Sequence, residues 1–361
     1  MKPKKILVLT LCLMIVFILS ACNKEETKTD VSKLEPNNTE VSNSSSSSDW
    51  PNRTISMIVP FDAGGATDLI ARGMQAKLEE YLGVDISVTN MSGGSTSVGN
   101  QYVVDSDHDG YTIIMQATEI ANIWTMKQSD LTQRDFEYAG FATAVPGILV
   151  VKSDSPIKDL NDLVEIAKNE KLSVSVCGGG CAWTLTYGLL NNSVGGIEPE
   201  YVPMGSGKNA AVSALKGEVD VGSCGIPETV ELLQGGQLRA LGCFTSESIT
   251  LDGYGEIPSI ASVCPELKGF LPYGGFIGLA APKGTPEDVM KKLTEAFEYA
   301  YNDERFQEYL ETSHFIGLGC IGEDARDYVE MRESLNAWLL YELGIAQRNP
   351  EDLDIPHYST Y

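Results

Sequence analysis

The chain has 361 residues and carries 50 Asp and Glu against 26 Lys and Arg, a formal net charge of −24. A surplus of that size repels phosphates and argues against nucleic acid as a partner. It also means that a small anionic ligand has to be held by local dipoles against the field of the whole protein.

Lys2, Lys4 and Lys5 form a positive start, and Ile6 to Leu19 is an almost unbroken apolar run. The run is too short for a comfortable membrane span and fits a secretory signal over 1–21. It ends in Leu19-Ser20-Ala21-Cys22, which resembles the bacterial lipobox. The resemblance implies cleavage before Cys22 and lipid on its sulfur; the alternative is an uncleaved anchor. Either way the chain works as a lipoprotein or tethered protein on the extracytoplasmic face of the cell membrane. Residues 22–49 are polar and serine-rich and read as a flexible linker, because they cannot bury enough apolar surface to order themselves. From Trp50 onward about 300 residues remain, enough for two modest α/β lobes.

Ile55 to Val59 is a short β-branched run and predicts a buried strand. Pro60 ends it, Gly64 and Gly65 allow a tight turn, and Thr67 or Asp68 is placed to cap a helix with Leu69, Ile70, Met74 and Leu78 as its apolar stripe. Val84 to Thr89 predicts a strand, Ser95 the cap of a short helix through Val103, and Tyr111 to Met115 another strand. This β-α-β-α-β order marks a parallel sheet. Ile148 to Val151 predicts a strand, Asp159 the start of a helix, and Leu172 to Val176 a strand. Gly178-Gly179-Gly180 leads into a helix near Trp183, and Tyr201-Val202 into the turn Gly205-Ser206-Gly207 and a helix through Leu215. Val219 to Val221, a helix from Pro227 and Leu238 to Leu241 complete a second βα block. Phe276 to Ala280 reads as a strand returning to the first lobe. Thr285-Pro286 starts a helix carrying Val289, Leu293, Phe297 and Ala300. Two or three helices follow to about Leu343, and in the C-terminal tail at 345–361 the polar stretch from Asn349 to Tyr361 is expected to fray.

Three glycine-rich strand-to-helix turns stand out: Pro60 to Asp68, Cys177 to Trp183, and Pro203 to Lys208. Each lies where α/β proteins bind ligands, and N–H groups at a helix start form an anion site. Enzyme readings are weakly supported. Gly207-Lys208 lacks the earlier glycine of a phosphate loop, where Val202 stands, and Asn209 replaces its Ser or Thr. There is no G-x-S-x-G elbow and no H-E-x-x-H, and His108, His314 and His357 offer no obvious triad base. No cofactor and no resident metal are expected. After Cys12 and Cys22, six cysteines remain, at 177, 181, 224, 243, 264 and 320. They are open to three readings: buried thiols, disulfides of an exported chain, or a zinc site around Cys177 and Cys181, for which a second closely spaced pair is missing.

Pro60-Phe61-Asp62-Ala63-Gly64-Gly65-Ala66-Thr67-Asp68, followed by Ala71-Arg72, resembles the signature of the extracytoplasmic substrate-binding receptors of tripartite tricarboxylate transporters, the Bug family. Val88-x-Asn90 with Gly93-Gly94, Asp109-Gly110-Tyr111-Thr112, Val202-Pro203 with Gly205, Gly217-Glu218-Val219-Asp220 and Ala281 to Pro286 resemble further family segments in order. The resemblance spans Trp50 to about Gly344. It implies an α/β, two-lobed type II periplasmic-binding-protein fold (a Venus-flytrap) with a ligand cleft between lobes. The first lobe would be 50–144 with 276–344, and the second 145–275. It also implies a monomeric, non-catalytic receptor. That receptor would capture a small organic anion, a di- or tricarboxylate or related acid, and deliver it to a permease of one large and one small membrane subunit. An enzyme or sensor on the same scaffold is the alternative.

Carried onto this chain, the ligand residues would be Phe61, Asp62, Ala63, Gly64, Gly65, Thr67 and Asp68 in the first turn. Gly179, Gly180, Cys181, Trp183 and Thr184 in the second, and Met204, Gly205 and Ser206 in the third, would complete the set. Asp68 would hold the turn's shape rather than touch an anion. Cys181, Trp183 and Thr184 stand where the family often carries a His after a Ser. The third turn is one residue shorter than usual. Asp62 replaces a small residue, so it either selects an amine- or hydroxyl-bearing ligand or turns outward.

Cys22→Ala is expected to leave the exported chain without lipid, since no other cysteine follows a suitable box. Mass spectrometry of the membrane fraction checks this, and a diacylglyceryl group on the variant would overturn the lipobox reading.

Overall fold

The computed structural model describes residues 49–360. The signal, Cys22 and nearly all of the linker lie outside the described residues, as does Tyr361. Among the described residues no helix is long and apolar enough to cross a membrane.

The first βαβαβ unit consists of β1 (Ile55–Val59), α1 (Ala66–Leu82), β2 (Ile86–Asn90), α2 (Ser97–Val104) and β3 (Thr112–Ala117), with β1 parallel to both neighbours. A long strand β4 (Phe136–Lys152) leads to the second unit: α3 (Leu160–Ala167), β5 (Ser173–Val176), α4 (Ala182–Val194), β6 (Glu200–Pro203), α5 (Gly207–Lys216), β7 (Val221–Gly225), α6 (Val230–Gln234) and β8 (Leu238–Cys243). A small hairpin, β9 (Ile249–Leu251) and β10 (Gly255–Ile257), precedes the return strand β11 (Gly274–Pro282). The chain ends with α7 (Glu287–Tyr301), α8 (Glu304–Thr312), β12 (Ile316–Ile321) and α9 (Gly322–Glu342).

Two lobes result from how β4 is shared. Its first part, to Pro146, pairs antiparallel with β11 and β12; from Gly147 on it pairs with β7 and β8. The sheet of lobe one is β2-β1-β3-β11-β4, and that of lobe two adds β7, β5 and β6. Ile55, Met57, Ile58 and Val59 are all buried, as expected of a central parallel strand covered on both faces. Ile70, Met74 and Leu78 of α1, and Val289, Leu293, Phe297 and Ala300 of α7, bury the faces their spacing predicts.

Several local expectations are corrected. β4 starts at Phe136, well before Ile148, because Gly140, Pro146 and Gly147 hide the strand pattern; the proline and glycine sit where the strand changes partners. The sequence pattern does not reveal β12, since Gly317 and Gly319 interrupt a short, partly exposed strand that β4 organises. The α2 helix begins two residues after Ser95, which has positive φ and caps nothing. Pro286 occupies the α7 cap position, and the Thr285 hydroxyl donates to the Pro282 carbonyl at 2.7 Å instead of capping. The tail at 345–361 is docked rather than frayed as far as it is described. Ile355 is buried, and the Pro356 carbonyl accepts from Ser334 at 2.7 Å and from the Trp338 indole at 3.0 Å. Trp338 on α9 supplies the anchor that composition did not reveal.

The crossover between lobes is built tightly. The Gly147 N–H donates to the Tyr273 carbonyl at 3.0 Å. Arg332, buried on α9, donates to the Gly274 carbonyl at 2.6 Å while its guanidinium lies over the rings of Tyr273 and Phe276. A Cβ at Gly274 would collide with the Val145 carbonyl. Gly274→Ala is therefore expected to destabilise the protein by about 1–3 kcal/mol. Gly269→Ala, which opens onto empty space, should change stability by no more than about 0.5 kcal/mol. Urea denaturation of both variants checks the contrast.

Candidate functional site

The first turn begins where β1 stops. Gly64 has φ +81, a left-handed conformation that only glycine adopts without strain, and Gly65 is the extended cap residue of α1. Asp68 is thus inside the first helical turn rather than at the cap, and the cap residue Gly65 has no side chain to accept from the helix start. Asp68 is buried and accepts from the Gly64 N–H at 2.8 Å, Arg72 at 3.0 Å and Asn90 at 3.0 Å. Burial works against its charge, but these donors outweigh it and hold the carboxyl below the usual range. It braces the turn from behind. The Gly65 N–H closes on the Asp62 carbonyl at 3.4 Å.

Asp62 faces away from the cleft floor. It accepts from Ser92 in lobe one and from the Asn209 amide in lobe two at 3.2 Å, so it ties the rims together. A Cβ at Gly205 would press on its carboxylate. In the second turn the Gly179 carbonyl accepts from Gln128 at 2.6 Å and Ser95 at 3.3 Å, and the Gly180 carbonyl from Asn122 at 2.9 Å. These are further links between lobes. Cys181 is buried, with its sulfur accepting from the Gly178 N–H at 3.3 Å, and the Thr184 hydroxyl donates to the Gly178 carbonyl at 2.9 Å. In the third turn Ser206 caps α5 by accepting from the Asn209 N–H at 3.2 Å, and the Met204 carbonyl accepts from the Asn209 amide at 3.1 Å.

The three turns converge on one cavity of about 30 Å³. Of the residues expected at the site, Phe61, Gly65, Thr67, Trp183 and Ser206 line it. Asp62, Ala63, Gly64, Asp68, Gly179, Gly180, Cys181, Thr184, Met204 and Gly205 are not in its wall. Trp183 both packs and faces the cavity, its ring lying against Gly225 and Gly275.

Two residues that the sequence reading missed dominate the cavity, Glu119 and Glu228. Glu228 reaches from lobe two to lobe one and accepts from the Ala66 N–H at the α1 start at 3.2 Å. It also accepts from the Gly225 N–H at 2.8 Å, and its carboxyl group lies over Gly207 at the α5 start. A Cβ at Gly207 would overlap its carboxyl group. Glu119 reaches the other way, from lobe one, and accepts from the Ala182 N–H at the α4 start at 3.2 Å. The chain's own carboxyl groups therefore sit at the starts of three helices. The Thr67 and Asp68 N–H groups make no hydrogen bond among the described residues. A signal was available: both glutamates directly follow strands that end at the cleft, β3 and β7, as the glycine turns do.

Burial pushes the Glu119 carboxyl up to about 8 and the Glu228 carboxyl up to about 7, the latter against its backbone donors. Burial pushes the Cys177 thiol up as well. It also opposes ionisation of Cys181, but hydrogen bonds from Cys177, Thr184 and Gly178 bring that thiol down to about 6. The Glu119 carboxylate and the Cys177 and Cys181 sulfurs lie within 4.8 Å of one another. This set of donors suits a borderline-soft cation, with one ligand drawn from the opposite lobe. Among the described residues Cys177, Cys181, Cys224, Cys243, Cys264 and Cys320 are all free thiols, and only Cys320 is partly exposed.

Two α/β lobes joined by β4 and β11, with glycine turns from both lobes meeting at the cleft, define a two-lobed protein of the periplasmic-binding-protein class. The family model described as tripartite tricarboxylate transporter family receptor matches residues 70–335, and the chain belongs to that family. A protein encoded in the tcbD-tcbE intergenic region of Pseudomonas sp. (strain P51) is 29% identical over 250 residues, covering 68% of this chain and 72% of the relative. A solved R. palustris protein with adipate is 25% identical, with 82% of this chain and 99% of that one covered and a TM-score of 0.74. MatC from Rhodopseudomonas palustris with bound malate is 26% identical, with 82% and 98% covered and a TM-score of 0.67.

Because both glutamates hold their protons above the ordinary value of 4.5, the folded protein binds more protons than the unfolded chain between that value and about 8. Their stabilisation is complete below about 4.5 and is lost as pH rises through the folded values. Glu119→Gln, which imitates the protonated acid, is expected to gain stability relative to the unsubstituted protein across this window. Urea titrations at several pH values measure the difference.

Proposed function

We propose that this chain is a lipid-anchored, monomeric receptor on the extracytoplasmic face of the cell membrane. It captures a small carboxylate between its lobes and delivers it, chemically unchanged, to the large and small membrane subunits of a tripartite transporter. The lobes divide as 50–144 with 276–344, and 145–275, and they part about β4 and β11 to admit the ligand. The observation that carries this reading is the α1 start, where the Thr67 and Asp68 N–H groups make no hydrogen bond among the described residues and meet the starts of α4 and α5 at one cleft. N–H groups and dipoles aimed at one point are what an anion needs in a chain of strongly negative net charge. The adipate and malate held by two solved relatives support the same class of ligand.

In this reading the ligand carboxylate meets the Thr67 end of the first turn, while Asp68 keeps the turn in shape from behind. Each charge-assisted hydrogen bond there is worth roughly 1.5–3 kcal/mol. A Cβ at Gly65 would stand 3.4 Å from Ser206 and 3.6 Å from the Glu228 carboxylate, both across the cleft. The larger valine would hold the lobes apart without straining the first turn. Gly65→Val is thus expected to stay folded and to lose about tenfold to ten-thousandfold in affinity. Identification of the ligand by mass spectrometry of what co-purifies, a thermal-shift screen of small carboxylates including adipate and malate, and calorimetry on the variant test this. Undiminished affinity in folded Gly65→Val would remove the turn from the site, and a chemically altered ligand would replace the receptor reading with an enzymatic one.

A further inference from the structure

Cys177 and Cys181 have no second closely spaced cysteine pair in the sequence. Folding supplies another donor. Glu119, 58 residues before Cys177, reaches across from lobe one, and its carboxylate and the two sulfurs of lobe two lie within 4.8 Å of one another. Among the described residues it is the one group of three His, Cys, Asp or Glu donors brought together in this way. All three side chains are buried. The Cys177 sulfur stands 3.9 Å from the Glu119 Oε1. That is close to the roughly 3.5–3.8 Å between donors of one tetrahedral zinc, given bonds of about 2.3 Å to sulfur and about 2.0–2.2 Å to oxygen.

The donors are also positioned. Cys181 is the cap residue of α4, and its sulfur accepts from the Gly178 N–H at 3.3 Å. A helix start and an N–H donor both favour the thiolate, the form that ligates metal. The Ala182 N–H holds the Glu119 carboxylate at 3.2 Å, the kind of outer contact that orients a ligating carboxylate. No Lys, Arg or His is among the described residues that line the adjoining cavity, so none of those side chains competes with a cation there.

We propose that Glu119, Cys177 and Cys181 bind a zinc ion, or another borderline-soft dication, between the lobes. Two sulfurs select against the hard cations Mg²⁺ and Ca²⁺, which take oxygen ligands. The thiols release their protons to solvent as the ion binds. Glu119 and Cys177 line the cavity, and a water from it fills the fourth position. With one donor from lobe one and two from lobe two, the ion ties the lobes together, and its binding favours the arrangement in which they meet. The site is independent of the solute that the cleft receives.

The experiment is titration of the full mature chain, reduced and stripped of metal, with Zn²⁺, Co²⁺, Mg²⁺ and Ca²⁺. Zn²⁺ is expected to bind at one site per chain and to raise the thermal midpoint. Co²⁺ should show the charge-transfer absorption of a thiolate ligand, and Mg²⁺ and Ca²⁺ should do neither. Cys177→Ser, Cys181→Ser and Glu119→Gln should each weaken Zn²⁺ binding by about a hundredfold or more, since even an outer contact to a ligand is worth about tenfold to a hundredfold. Cys320→Ser, at the partly exposed thiol outside the cluster, should leave it unchanged. Because Glu119 is the donor from lobe one, its variant decides whether the ion spans the lobes. X-ray absorption of the unsubstituted, Zn²⁺-loaded chain depends on no variant's folding; it should find two sulfurs at about 2.3 Å with oxygen completing the shell. Absence of a thiolate band, zinc surrounded by oxygen alone, or undiminished affinity in folded Glu119→Gln would overturn the site and leave the carboxylate receptor untouched.

Discussion

Glu228 closes this molecule on itself. Its carboxyl group takes the Ala66 N–H of one lobe and the Gly225 N–H of the other, so a single side chain fastens the first helix of lobe one to the turn after β7 in lobe two. Glu119 makes the reciprocal reach to Ala182. Each replaces water at a helix start with an internal carboxyl group, and the raised proton affinity of both is the electrostatic consequence of doing so in an enclosed space. The small cavity, the position of Trp183 and the glycine at 207, over which the Glu228 carboxyl group lies, all follow from that fastening.

Around this centre lie further contacts between the lobes, most of them exposed. Asp62 with Asn209, Gln128 and Ser95 with the Gly179 carbonyl, and Asn122 with the Gly180 carbonyl all cross between lobes. The neutral ones among them contribute about 0.5–1.5 kcal/mol each. They are suited to breaking and re-forming as lobes part. The hinge is the opposite case. Gly147, Tyr273, Gly274 and buried Arg332 are packed without room for even a methyl group at 274. That packing holds the connection between β4 and β11 in register.

The family places this chain among solute receptors, and its fold is theirs; its cleft chemistry departs from a plain carboxylate trap. In that cleft the backbone supplies positive dipoles, as the glycine turns require, but acidic side chains have moved in front of them.

The sequence alone determined the parts that depend on near neighbours. Ile55 to Val59 is an apolar run that cannot avoid being a buried strand, Gly64 adopts the left-handed turn its lack of Cβ allows, and the stripes of α1 and α7 read directly from their spacing. The ordered motifs fixed the family and hence the two-lobed plan. Tertiary structure decided the rest. β4 was legible only in its last third, because Gly140, Pro146 and Gly147 deny it strand propensity and two different sheets supply its partners. Asp62 could be read as facing in or out until Asn209, distant in sequence, was brought to it. Glu119 and Glu228 are ordinary acids in a chain full of them. What distinguishes them is burial against helix starts 63 and 162 residues away, a fact of folding that no local pattern encodes.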